Sequence, residues 1–125
     1  MLNIDIKTIP HNRQRYPTCG DYWRDKHKVH FRISDMKDKD YEFLIAIHEL
    51  IEHHLCEQRG IDLYSIDEFD KKYEKDRKKG DVSEPGNDPK APYYLEHQFA
   101  TKIEKLIAKE LGVIWDEYDK AVNEL

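Results

Sequence analysis

The chain has 125 residues and a net charge of −5, and charged and hydrophobic residues each make up 38% of it. That length suits a single domain, expected to span 1–125 with a β-rich layer at 1–34 and a helical part at 35–125 broken by a loop at 80–92. The acidic balance argues against nucleic acid as a partner, and no apolar run approaches the roughly 20 residues a membrane helix needs. Cys19 and Cys56 are the only cysteines, too few for a disulfide framework. The first residues lack the basic start and apolar stretch of a signal peptide, so a cytoplasmic location is expected. Charge is uneven: residues 1–34 carry seven Lys/Arg against three Asp/Glu, the remainder fourteen against 23. A mildly basic N-terminal layer of that kind is more often a solvated surface than a binding face.

Leu2, Ile4 and Ile6 alternate with polar residues and predict a strand that Pro10 ends. Residues 11–26, with Pro17 and Gly20, read as a loop or loose hairpin carrying Tyr16, Tyr22 and Trp23. Val29, Phe31 and Ile33 predict a second strand with His30 facing outward, and Ser34 or Asp35 is a candidate cap for the next element. The periodicity from about Asp38 to Arg59 is helical, and Gly60 is its stop. Ser65 and Glu68 fit a capping box opening a helix over 66–79, with a thin apolar stripe of Ile66, Phe69 and Tyr73. Gly80, Pro85, Gly86, Pro89 and Pro92 break the pattern. A third helix is expected from Ala91 to Leu111, stopped by Gly112, and a short fourth one over 115–124. The sum is an α+β fold: a short hairpin or small antiparallel sheet packed against about four helices.

Chemistry concentrates on the first helix. At about 100° per residue, His48 and Glu52 fall in the middle of an apolar arc formed by Tyr41, Leu44, Ile45, Ile51, Leu55 and Cys56. Glu42, Glu57 and His53 fall on the opposite side, and Glu49 at the boundary. A carboxylate facing a core must be paired, protonated or bound to a metal, because leaving it charged and alone costs several kcal/mol or more. Side chains at i and i+4 share a direction, so one imidazole and one carboxylate at that spacing suit Zn²⁺. The plainer alternative is a buried His48–Glu52 hydrogen bond without metal. The Glu directly after the His favours the metal, because in the His-Glu-x-x-His helix that Glu is the general base.

Two protein ligands rarely hold zinc. Glu96-His97 on the third helix offers a further ligand. Phe99, Ala100, Ile103, Leu106, Ile107 and Leu111 define that helix's apolar arc, with Glu96 inside it and His97 at its edge. His97 as ligand gives two His and one Glu, a common catalytic zinc set, and leaves Glu96 to orient a ligand or shuttle a proton. The reverse assignment stays open, and Mg²⁺ or Mn²⁺ would prefer Glu49, Glu52 and Glu96. His11, His27, His30, His53 and His54 carry weaker signals. The acidic loop 81–88 does not match a calcium loop and reads as a solvated linker.

The strand followed by His48-Glu49-x-x-Glu52 resembles the minimal zincin-like arrangement, in which an edge strand beside the helix holds an extended peptide. The resemblance implies a metal site at His48 and Glu52, Glu49 as base, and residues 27–33 as the strand that would meet a peptide or protein partner. Zincins have His where this chain has Glu52. The segments around 34–60 and 80–118 are also similar to small phage- and prophage-encoded proteins. Three functions are expected from these signals: a metal-dependent hydrolase or peptidase, a non-enzymatic phage accessory protein with a structural metal or His–Glu pair, and a Mg²⁺-dependent nucleotide pyrophosphohydrolase.

Overall fold

A computed structural model describes all residues, 1–125. It contains three strands, β1 (Ile4–Ile9), β2 (Gly20–Arg24) and β3 (Val29–Ser34), and four helices, α1 (Lys39–Gln58), α2 (Leu63–Lys75), α3 (Tyr94–Leu111) and α4 (Trp115–Asn123). The α+β class expected from the pattern is what forms, but the sheet is mixed, not antiparallel. Its order is β1-β3-β2, with β1 parallel to β3 and β2 antiparallel to it. β2 and β3 form a hairpin closed by Asp25, whose Oδ1 accepts from the main-chain N–H groups of His27 and Lys28. The long connection from β1 to β2 lets β1 take the other side of β3 and run the same way.

This order corrects one expectation. β3 is the central strand, hydrogen-bonded on both sides, so residues 29–33 have no free edge for a partner, and 27 and 28 lie in the turn before it. Its inward side chains Val29, Phe31 and Ile33 are buried. Phe31 packs with Tyr22 and with His53, whose ring meets both edge-on. His53 is therefore buried and not on a polar face. The wheel placed it opposite His48, and the sheet covers that side of α1 while α3 covers the other.

The cap of α1 lies three residues beyond Asp35 and four beyond Ser34: it is Asp38, its Oδ1 accepting from the N–H groups of Asp40 (3.0 Å) and Tyr41 (3.1 Å). Gly60 and Gly112 take the left-handed conformation at the ends of α1 and α3, as their positions suggested. α2 starts at Leu63 under an Asp62 cap, and Ser65 sits in its first turn donating back to the Asp62 carbonyl. It ends at Lys75, which frees Arg77 from the helix.

α3 departs most from the expected packing. Its buried residues are Glu96, His97, Ala100, Glu104 and Ala108. His97, Ala100, Glu104 and Ala108 fall within about 80° of one another on the helix, and Leu95, Phe99 and Leu106 point away and are exposed. The side facing α1 is thus small and polar, with two alanines allowing close approach. Three separate apolar clusters surround this polar seam: one around Ile33, Leu44 and Tyr118, one around Cys56, Ile66 and Tyr93, and one around Tyr22, Val29 and Phe31.

Asp38→Ala should lower unfolding free energy by about 1 kcal/mol through loss of the cap. Urea unfolding followed by circular dichroism measures this, and an unchanged midpoint would show that the two capped N–H groups find other acceptors.

Candidate metal centre

Where α1 crosses α3, three ligand atoms converge. His48 Nε2 lies 3.1 Å from Glu52 Oε2 and 3.0 Å from His97 Nδ1, and His97 Nδ1 lies 2.8 Å from the same Glu52 oxygen. All three residues are buried, and the group has the composition and spacing to hold a metal ion. Four-coordinate zinc with bonds near 2.0–2.1 Å would set its ligand atoms about 3.3 Å apart, so only a small opening of the triangle is needed. Of the two candidates for a third ligand, His97 is the one that joins His48 and Glu52. Glu96 is buried one residue earlier, but its carboxylate accepts from Arg59 Nη1 at 2.7 Å. It faces the C-terminal end of α1 and not the triad, because consecutive helix residues point about 100° apart.

Each imidazole is held from behind by a carboxylate that sequence reasoning did not single out. His48 Nδ1–H donates to Glu104 Oε1 at 2.8 Å, and Tyr118 OH donates to the other Glu104 oxygen at 2.5 Å. His97 Nε2–H donates to Glu84 Oε2 at 2.9 Å. These bonds leave His48 Nε2 and His97 Nδ1 as the atoms facing Glu52, the arrangement by which a ligand's tautomer is fixed. Tyr22 OH donates to Glu52 Oε1 at 2.9 Å, which leaves Oε2 for the triad. A signal for Glu104 was present: it lies seven residues, two turns, after His97. Glu84 lies in the loop and had no periodicity to mark it.

Electrostatics follow from this crowding. Burial opposes protonation of His48, but hydrogen bonds to Glu104 and Glu52 outweigh it and raise its pKa well above the ordinary value. Burial likewise opposes charge on His97, and Glu52 and Glu84 override it, raising its pKa to about 9. Burial would push Glu52 up, yet its bonds to His48 and His97 bring it down to about 2.

The triad opens onto a cavity of about 950 Å³ that is also lined by Glu49, Asp70, Glu84, Tyr16, Tyr93 and Trp115. Glu49 has no hydrogen-bond or ion-pair partner in the structure, whereas Glu52, Glu84 and Glu104 are all engaged. Burial and the charge of Glu52 raise its pKa well above the usual carboxylate range. Two glycines shape this wall. A Cβ at Gly20, the first residue of β2, would come within 2.7 Å of Glu49 Oε1, and one at Gly86 within 2.5 Å of His97 Nδ1.

The remaining histidines stand apart from the triad. His11 Nδ1 is 2.9 Å from Ser34 Oγ, and His30 stacks on Trp23 beside Asp25 on the outer sheet face. His27 and His54 are exposed. Comparisons with known proteins return nothing: no protein-family model, no curated protein and no solved structure matches the chain. No helix is long and apolar enough to cross a membrane.

Asp70 is a second titrating group on the cavity wall. Its oxygens accept from Tyr93 OH at 2.5 Å and Tyr16 OH at 3.2 Å, but burial dominates and raises its pKa to about 7 from 3.8. The folded state therefore holds a proton there that the unfolded state releases near pH 4. Stability contributed by this group is present below about pH 4 and is lost as pH rises to 7. Asp70→Asn, neutral throughout, should gain on the wild type steadily between pH 4 and 7 in denaturant unfolding. Parallel pH profiles would refute the assignment.

Gly86→Ala should displace the His97 ring, because the added methyl overlaps imidazole atoms and not a flexible chain end. The expected outcome is an intact circular dichroism spectrum with altered His97 imidazole resonances. Unaltered resonances would mean that the loop yields instead of the ring.

Proposed function

We propose that the protein is a small zinc-dependent hydrolase of the zincin-like type, acting on a carbonyl substrate such as a peptide bond. The observation that carries this reading is the unpartnered Glu49 beside the triad, on the wall of an open cavity. A purely structural cluster has no use for a half-buried carboxylate that is left unpaired at the cavity wall beside it.

His48, Glu52 and His97 would hold the ion as two imidazoles and one carboxylate, a donor set that leaves one coordination position for water. When bound, the ion supplies an acidified water and polarises the carbonyl oxygen. Glu49 takes the water's proton as the nucleophile forms and returns it to the leaving amine. Burial and the charge of Glu52 raise the pKa of Glu49, which makes it a stronger proton acceptor than an ordinary carboxylate. Glu104 and Glu84 keep both imidazoles in the tautomer that faces Glu52. Tyr22 fixes the rotamer of Glu52.

The Mg²⁺-dependent nucleotide reading is less well supported. Two of the three ligands are imidazoles, which suit zinc better than magnesium. The cavity's cations are also engaged, Arg77 with Glu74 and Lys105 over the Trp115 ring. A non-enzymatic reading draws on a different fact: each of the three triad residues already has hydrogen-bond partners without an ion.

Protein purified without a histidine tag should contain one zinc per chain. His48→Ala and His97→Ala should lose it, and Glu96→Gln should keep it. Glu49→Gln should also keep the zinc while lowering turnover of a mixed peptide substrate library by about 10²–10⁴-fold. Equal zinc in wild type and His48→Ala would end the metal reading. Full activity in Glu49→Gln would end the hydrolase mechanism.

A further inference from the structure

The segment that leaves α2 returns across α3 and lies on His97. Its path is set by one side chain. Arg77 Nε and Nη2 donate to the two oxygens of Glu74 at 2.8 and 2.7 Å, anchoring the guanidinium to α2. The same group donates through Nη1 to the Asp81 carbonyl at 2.6 Å and through Nη2 to the Ser83 carbonyl at 2.7 Å. Tyr73 OH meets Ser83 Oγ beside it. The next residue is Glu84, whose carboxylate receives His97 Nε2–H, and two residues on, Gly86 lies against the imidazole ring.

We propose that Arg77 is a positioning residue for His97: by holding the 81–83 main chain it keeps Glu84 on Nε2 and so presents Nδ1 to Glu52 and His48. The guanidinium is suited to this because its planar fork serves a carboxylate and two carbonyls at once, whereas an ammonium is a point charge on a flexible stem. Without that grip, an eight-residue run from Gly80 to Asn87 containing two glycines and a proline has few other ties to α2. The consequence for metal affinity rests on reading His48, Glu52 and His97 as a metal site. The consequence for the imidazole does not.

The test uses the full chain freed of metal with a chelator. Wild type, Arg77→Met, Arg77→Lys, Glu84→Gln and the double variant Arg77→Met/Glu84→Gln are titrated with zinc against a chromophoric chelator. Their histidine side chains are read by ¹⁵N–¹H spectroscopy in the metal-free state. Glu84→Gln and Arg77→Met should each weaken zinc binding by about 10–100-fold, the usual effect of losing a ligand's supporting partner. The double variant should bind no more weakly than Glu84→Gln alone, because Arg77 acts through Glu84. Arg77→Lys, which keeps the charge and stem and should fold, should resemble Arg77→Met. In the spectra, the His97 signals should move in all four variants while those of His48 stay in place. Additive losses in the double variant, or unmoved His97 signals in both Arg77 variants, would overturn the proposal. A wild type that takes up no zinc would overturn the metal reading alone, and the imidazole signals would still decide the role of Arg77.

Discussion

Two imidazoles and a carboxylate buried in mutual contact between α1 and α3 are the constraint around which the rest of the chain is arranged. Such groups cannot be taken out of water unpaired, because the uncompensated cost runs to several kcal/mol per charge. Partners come from every part of the fold. α3 supplies Glu104, the loop after α2 supplies Glu84, β2 supplies Tyr22, and α4 supplies Tyr118 behind Glu104. The small sheet and the short last helix are thus more than cover for a helix pair. Each delivers one side chain that the seam requires.

That polar seam also explains why the apolar residues divide into three small clusters instead of one core. With little continuous apolar packing, the free-energy margin of a chain this size is narrow. An ion that bound the folded triad and not the unfolded chain would add RT ln(1 + [L]/Kd) to it, so occupancy and stability are coupled whatever the chemistry at the site. The same coupling runs through the loop at 80–92. Its order depends on Arg77, and the orientation of His97 depends on its order.

Much of the fold could be read from the chain because the signals were local. Alternation gave β1 and β3, i/i+4 periodicity and Gly60 gave α1, and the glycine and proline run gave the break before α3. What misled was the assumption that a helix buries its most apolar arc. On α1 it held for the arc that faces α3, and His48 and Glu52 were found because they interrupt an apolar face, but it missed His53, which the sheet buries on the other side. On α3 it failed: Phe99 and Leu106 are exposed, and the buried line is His97, Ala100, Glu104 and Ala108. A polar line is stable there only because α1 presents a complementary polar line, and that is a property of two helices together. Glu84, Tyr22 and the central place of β3 were hidden for the same reason. Each depends on contacts across 13 to 30 residues of sequence or on strand order, which composition and spacing do not encode.

Glu49 and Glu52 sharpen the point that a residue's neighbours, more than its type, set its role. They are three residues apart on one helix and chemically identical. Glu52 is drawn down to about 2 by two imidazoles and pinned by a phenol, which favours its anionic form and leaves Oε2 facing both imidazoles. Glu49 faces Gly20, where the absence of a side chain leaves its oxygens without a partner, and its pKa is driven up. Placing Glu rather than His at position 52 removes an imidazole from α1, and His97 on α3 restores it. Because His48, Glu52 and His97 come from both α1 and α3, the affinity of any ion they held would depend on the helix crossing itself. The free carboxylate of Glu49 sits on the same helical turn as His48, so its distance from that imidazole is set by α1 alone and not by the crossing.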